Sequence, residues 1–270
     1  MNLRDANVVV TGASTGIGRA TALLLASKGA KVTVAARDDT RLRELTAEQP
    51  TITPMKADLT KEADRAALVA AAGEVDVLVN NAGLGWHGMA EDMPADRLRE
   101  LIELNVLALM DLTHRIVPGM LARGRGHIVN IGSIAGYVGV PAEAVYCATK
   151  YAVQGYTDAL RRELSGRGVK VTLIAPGPIK TEFLARATTG GPAPEPGALD
   201  YGLPVTTVSR AVLRALTRPP FLPGYRTITV PRIGGWSRLG SIPLISHATN
   251  LSVRSRVRAE LKKREAAATG

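Results

Sequence analysis

The chain has 270 residues, 46% hydrophobic and 21% charged, which suits one large domain with a sizeable core. No stretch has the uncharged apolar length of a membrane-spanning helix, and the first strand starts too near Met1 for a signal or transit peptide, so a cytoplasmic location is expected. The net charge of +10 lies entirely in the last part of the chain. Residues 1–209 carry 22 basic and 22 acidic side chains and residues 210–270 carry 12 and 2, so the main body gives no electrostatic case for nucleic acid.

Asn7-Val8-Val9-Val10 reads as a buried strand. It runs into Thr11-Gly12-Ala13-Ser14-Thr15-Gly16-Ile17-Gly18 and then an alanine- and leucine-rich helix from Arg19 to Lys28. Strand, glycine turn and helix together make a phosphate site. Glycine lets the backbone approach the ligand, and a helix N-terminus offers unpaired amides. The spacing is G-x-x-x-G-x-G, and the alternative is a purely structural turn. Gly29-Ala30 closes that helix, and a second strand, Lys31 to Ala36, ends at Arg37. An acid after this strand would bind the adenosine ribose of NAD, whereas an arginine accommodates the extra phosphate of NADP. Asp38 and Asp39 are candidates to cap the next helix.

A third strand, Thr51 to Ala57, leads to Asp58-Leu59, where Asp58 is either a site residue or a cap for a helix from Lys61 to Ala72. A fourth, Val75 to Val79, ends in Asn80-Asn81-Ala82-Gly83, at the strand ends where such sheets bind ligands. Helical spacing runs from Pro94 to about Leu121, with Pro118 expected to kink or end it. Asn105 is the polar residue on that apolar stripe, either a satisfied buried amide or a group that holds water behind an active site.

Gly126 to Ile131 is a fifth strand, with Ser133 just beyond it, and Glu143 to Ser165 is a helix. On that helix Tyr146 and Lys150 are four residues apart and share a face. An ammonium beside a phenol favours the phenolate, so the Tyr146 pKa is expected to fall, making Tyr146 a proton donor or acceptor for an alcohol/carbonyl pair. A surface Tyr-x-x-x-Lys pair with no catalytic part is the alternative. Lys170 to Ala175 is a sixth strand, followed by Pro176-Gly177-Pro178-Ile179-Lys180-Thr181. Residues 183–204 read as a long loop, Val205 to Thr217 as a helix and Thr227 to Val230 as the last strand. Cys147 is the single cysteine and reads as a buried helix residue. His87, His114, His127 and His247 are scattered, so no metal site is expected. His87 reads as a surface-loop residue or part of a substrate entrance.

Strands alternating with helices predict an α/β fold, a parallel sheet with helices on both faces. The glycine turn, Asn80 to Gly83, Asn105, Ser133, Tyr146 to Lys150 and Pro176-Gly177 occur in the order and spacing of the short-chain dehydrogenase/reductase family, which the chain resembles over roughly residues 4–231. The resemblance implies a single Rossmann-like, doubly wound domain with a seven-stranded parallel sheet, a bound nicotinamide dinucleotide and oligomerisation as a homodimer or homotetramer. It implies Tyr146 as general acid/base, Ser133 on the substrate oxygen and Lys150 on the nicotinamide ribose, lowering the Tyr146 pKa. Asn105 would support a proton relay through water. Gly12, Ser14, Thr15, Gly16, Ile17 and Gly18 would hold the pyrophosphate, Asp58 and Leu59 the adenine, and Asn81, Ala82 and Gly83 the adenosine and ribose. Pro176, Gly177, Ile179 and Thr181 would cover the nicotinamide. Arg37 points to NADP, while Ser14 stands where many NADP-using members carry a basic residue, which keeps NAD as the alternative.

The expected function is therefore an NADP(H)-dependent oxidoreductase interconverting a ketone or aldehyde and an alcohol, on a mainly apolar substrate. The alternative is a non-catalytic nucleotide-binding regulatory or scaffold protein on the same fold. Residues 232–270 form a basic extension beyond the resemblance, with a helix expected over Ser252 to Glu265. Packing on its own domain or on a partner subunit and peripheral contact with anionic lipid are the two readings of it.

Overall fold

The computed structural model describes residues 1–183, 187–189, 202–218 and 227–230. In chain order, β1 (Asn7–Thr11), α1 (Gly16–Ala26), β2 (Lys31–Ala36), α2 (Asp39–Glu48), β3 (Ile52–Lys56), α3 (Glu62–Ala72) and β4 (Val77–Asn80) form the first half. Then come β5 (Trp86–His87), α4 (Ala95–Ile102), α5 (Ala108–Ala122), β6 (Gly126–Ile131), α6 (Ala144–Glu163), β7 (Val169–Pro176), β8 (Thr188–Thr189), α7 (Val205–Thr217) and β9 (Thr227–Val230). Seven strands make one sheet in the order β3-β2-β1-β4-β6-β7-β9, every neighbouring pair parallel.

The unbroken apolar runs of the strands follow from this. Val8 and Val10 enter one core with Leu25 of α1 and Val212 of α7, while Val9 between them enters the other with Leu68 of α3 and Leu112 of α5. Side chains alternate across a strand, so a sheet covered on both faces needs apolar residues at every position. The chain lays β2 and β3 on one side of β1 and returns to place β4 on the other. That reversal opens a crevice at the carboxyl ends of β1 and β4.

The helical run from Pro94 is continuous but not uniform. A π turn, Glu103–Leu107, separates α4 from α5. Asn105 lies within this turn and is 2% exposed, as its place on the apolar stripe predicts. Leu98 of α4 lies off the buried face, 42% exposed. Pro118 does not end α5, which runs on to Ala122. Pro118 and His114, whose carbonyl loses its helical partner, are both exposed, on the side of the helix open to water, while buried Ile116 and Met120 hold the helix. Among the described residues, no helix is long and apolar enough to cross a membrane. The expected C-terminal helix and most of the long loop from 183 to 204 lie outside the described residues.

Candidate active site

The crevice begins at the glycine turn. Gly12 has φ +66°, and a Cβ there would stand 2.7 Å from Ala82 Cα. Gly18 would drive a Cβ into the Gly12 carbonyl and, at 2.5 Å, into the Asn81 amide nitrogen. Only glycine permits both the left-handed turn and this close packing. No side chain caps α1 and no acid occupies its first turn, so the positive end of the helix faces the turn around Ser14, Thr15, Gly16 and Ile17. Asn81 locks the turn to β4. Its Nδ2 donates to the carbonyls of Thr11 at 2.9 Å and Gly12 at 3.1 Å, and the Thr11 hydroxyl accepts from the amides of Asn81 and Ala82, both at 3.0 Å. Asn80 does the same for the next strand, donating to Asn130 Oδ1 at 2.9 Å.

Ser133, Tyr146 and Lys150 meet on the far side of the crevice. Ser133 stands two residues beyond β6 and caps a short turn, its Oγ accepting from the Ala135 amide at 3.1 Å. Tyr146 and Lys150 lie on one face of α6, with Lys150 Nζ 5.6 Å from the Tyr146 ring centroid. Lys150 is 6% exposed, and its ammonium donates to the Ile131 carbonyl at 3.1 Å, the end of the strand that leads to Ser133. Electrostatics depart from expectation here. Burial pushes the Tyr146 phenol up; a hydrogen bond with Ser133 opposes the rise and the nearby Glu143 carboxylate adds to it. The same burial takes the Lys150 ammonium down to about 8. Spacing alone predicted a lowered phenol, but taking either charge out of water costs more here than the pair recovers.

Asn105 is fully engaged. Its Oδ1 accepts from the Leu84 amide at 2.8 Å, and its Nδ2 donates to the Leu84 carbonyl at 2.9 Å and to Thr149 Oγ1 at 3.1 Å. It therefore clamps the loop after β4 onto α6. Gly83 is held close: a Cβ there would be 3.2 Å from Asn105 Oδ1 and 3.9 Å from Lys150 Nζ. Arg65 supports this from below, donating to Glu103 in the π turn at 2.8 Å and to Asp111 at 2.7 Å.

At the other end of the crevice, Asp38 caps α2 through the Arg41 amide at 3.1 Å. Asp58 closes its own turn, accepting from the Thr60 hydroxyl at 2.8 Å, and Leu59 is buried. The cap position of α3 is Lys61 rather than Asp58. Burial raises the Asp58 carboxyl, but the bonds from Thr60 and the charges of Arg37 and Lys61 outweigh it and hold it below the usual range. Pro176 ends β7, the Gly177 amide donates to the Val230 carbonyl at 2.7 Å, and Ile179 bridges to Leu203. Thr181 comes back over the glycine turn, its Cγ2 3.3 Å from where a Gly16 Cβ would be. A cavity of about 470 Å³ lined by Gly16, Arg19, Lys180 and Thr181, among others, opens there, beside the glycine turn rather than at Tyr146.

Four contributors were not singled out from the sequence. Thr11 and Thr149 carry no spacing signal of their own beyond standing next to the motifs. Phe183 places its ring 5.7 Å from that of Tyr146. Glu143, three residues before Tyr146, lies 3.8 Å from His87, whose strand β5 pairs with β8. That partnership joins residues 56 positions apart and no local pattern announces it.

The family profile described as "short chain dehydrogenase" matches residues 6–190. An uncharacterized oxidoreductase of Staphylococcus saprophyticus is 38% identical over 190 residues, covering 67% of this chain and 77% of that one. The dehydrogenase/reductase SDR family member 7B of Mus musculus is 38% identical over 215 residues, covering 73% of this chain but 65% of the mouse protein. Among solved structures, the closed form of a serine dehydrogenase complexed with NADP+ matches with TM-score 0.77 and 31% identity, over 82% of this chain and 93% of that one. A short-chain dehydrogenase/reductase from Burkholderia phymatum in complex with NAD matches with TM-score 0.74 and 27% identity, over 84% of this chain and 90% of that one.

Proposed function

Because the chain belongs to the short-chain dehydrogenase/reductase family, we propose that it is an NADP(H)-dependent oxidoreductase interconverting a ketone or aldehyde and an alcohol. The observation that carries this reading is the convergence of Ser133, Tyr146 and Lys150 beside the crevice at the carboxyl ends of β1 and β4. The residues present fit a dinucleotide. The glycine turn has no room for side chains, and the uncapped start of α1 suits a pyrophosphate. Arg37, Asp58 and Leu59 line the adenosine end and Asn81 to Gly83 the ribose, while Pro176 to Thr181 close over the site. When bound, the nicotinamide supplies the hydride.

The chain's own part is to hold an oxygen and move a proton. The Ser133 hydroxyl fixes the substrate oxygen, and the Tyr146 phenol gives it a proton in reduction and takes one in oxidation. Burial keeps that phenol neutral at neutral pH, which is the form reduction needs. Lys150, with its pKa at about 8, is still largely an ammonium there and offsets the phenolate left behind. Asn105 holds the loop that fixes the position of Gly83 against Lys150, which fits a supporting rather than a reacting group. The ring of Phe183, 5.7 Å from that of Tyr146, supports a mainly apolar substrate.

The test is Tyr146→Phe. It should bind dinucleotide as the wild type does and lose about 100- to 10,000-fold in turnover, the usual worth of a general acid. A panel of ketones and aldehydes with NADPH and NADH reads both. Full turnover in the variant would remove Tyr146 from the chemistry.

The exposed Leu107 and Tyr151, near and on α6, support assembly into a homodimer or homotetramer, which light scattering reads directly. Residues 232–270, whose charge suits anionic lipid, lie outside the described residues. Sedimentation with anionic vesicles, with and without them, tests that contact, and equal behaviour ends it.

A further inference from the structure

Arg37 already holds an anion of the chain itself. Its Nη1 donates to Glu100 Oε1 at 3.1 Å, across the opening between the end of β2 and α4. The other oxygen of Glu100 accepts from Arg97 Nη1 at 2.6 Å, one helical turn earlier. Glu100 is thereby fixed by two arginines and its side chain is 20% exposed, against 54% for Arg37. Asp58, two residues beyond β3, also feels the charge of Arg37, so the guanidinium lies near the carboxyl ends of β2 and β3.

A guanidinium fork takes a carboxylate and a phosphate with the same geometry, so the two compete for it. We propose that Glu100 is a positioning residue that sets the choice of cofactor: its carboxylate engages Arg37 where a dinucleotide's 2′-phosphate would bind, so NADP must displace it and NAD need not. This rests on the reading of Arg37 as the 2′-phosphate ligand. The effect is bounded by its exposure. An ion pair at the surface is worth a factor of about two to five. A carboxylate left beside the incoming phosphate adds like-charge repulsion, so about three- to tenfold in NADP affinity is expected in all.

The experiment is calorimetric titration of the full chain with NADP+ and with NAD+, for the wild type, Glu100→Gln, Arg37→Met and the double variant. Glu100→Gln should tighten NADP+ by about three- to tenfold and leave NAD+ within about twofold, which also shows that the variant is folded. The gain should vanish in the Arg37→Met background, because the two side chains act through one contact. A gain that persists without Arg37 would assign the effect to the freed Arg97 and overturn the inference. So would an unchanged NADP+ to NAD+ ratio in Glu100→Gln. If Arg37→Met leaves NADP+ affinity untouched, the 2′-phosphate reading has itself failed and this inference falls with it. If Arg37→Met weakens NADP+ while Glu100→Gln changes nothing, the cofactor reading stands and the role of Glu100 is refuted.

Discussion

Lys150 should make the ligand-free protein less stable than it would be without that charge, and the cost should depend on pH in a defined window. The ammonium is 6% exposed and burial takes its pKa from 10.5 to about 8. At about 1.4 kcal/mol per pH unit, that gap corresponds to about 3 kcal/mol. The sign follows from proton counting. Between pH 8 and 10.5 the unfolded chain binds a proton that the folded chain does not, so stability from this group rises with pH through that window and is at its lowest below 8. Replacing Lys150 by Met keeps the stem and removes the charge, but it leaves the Ile131 carbonyl without its donor, a loss of about 1–2 kcal/mol. The variant should therefore be about 1–2 kcal/mol more stable than the wild type at pH 7, and less stable by about 1–2 kcal/mol at pH 10.5. Urea unfolding without dinucleotide at pH 7, 8, 9 and 10 measures this, and the high-pH ionisation of Tyr146 is common to both proteins. A difference between the two that stays constant with pH would refute the reasoning, because the lysine would then not be the group that titrates.

His127 lies in β6, 3% exposed, with its Nε2 2.9 Å from Thr172 Oγ1, and burial followed by the charge of Lys170 holds its pKa at about 3. Its neutral form is favoured on folding, so stability should be lost as pH falls below about 6.5. His127→Gln should lose about 2 kcal/mol less than the wild type between pH 7 and 5, measured by urea midpoints, and parallel losses would contradict it. Arg65 is a third case. It donates to Leu59 O, Glu103 and Asp111 from a side chain 8% exposed. Arg65→Met should cost about 2–4 kcal/mol in thermal or chemical unfolding, whereas Arg43→Met, removing an exposed pair, should cost under about 1 kcal/mol. Similar costs for both would mean that burial does not set the worth of these pairs.

Several local features were legible because they depend on local chemistry. The valine run before Gly12 requires a strand covered on both sides, and the glycines before α1 require a turn packed against other backbone. The spacing of Tyr146 and Lys150 fixes them on one helix face whatever lies around them. Pro118 was legible as a defect and not in its outcome, since whether a lost helical bond breaks α5 depends on whether water reaches the freed carbonyl. The burial of Asn105 was legible from its place on the apolar stripe, whereas the π turn that carries it was not. A π turn is a compromise between two stretches of helix that each have their own packing, and no residue type encodes it.

What the amino-acid order alone determined is the alternation of strands and helices and the identity of the chemical groups at the strand ends. Each is set by contacts within a few residues, or by a hydrophobic pattern that any water-excluding fold must satisfy. Only the tertiary structure decided the state of those groups. The phenol at 146 rises instead of falling because its cost of ionisation is a property of the whole enclosure. Arg37 carries Glu100, 63 residues away, because the folded chain brings the side chain of α4 within reach of the residue after β2. Desolvation and long-range pairing are sums over neighbours in space, and those neighbours exist only once the chain has folded.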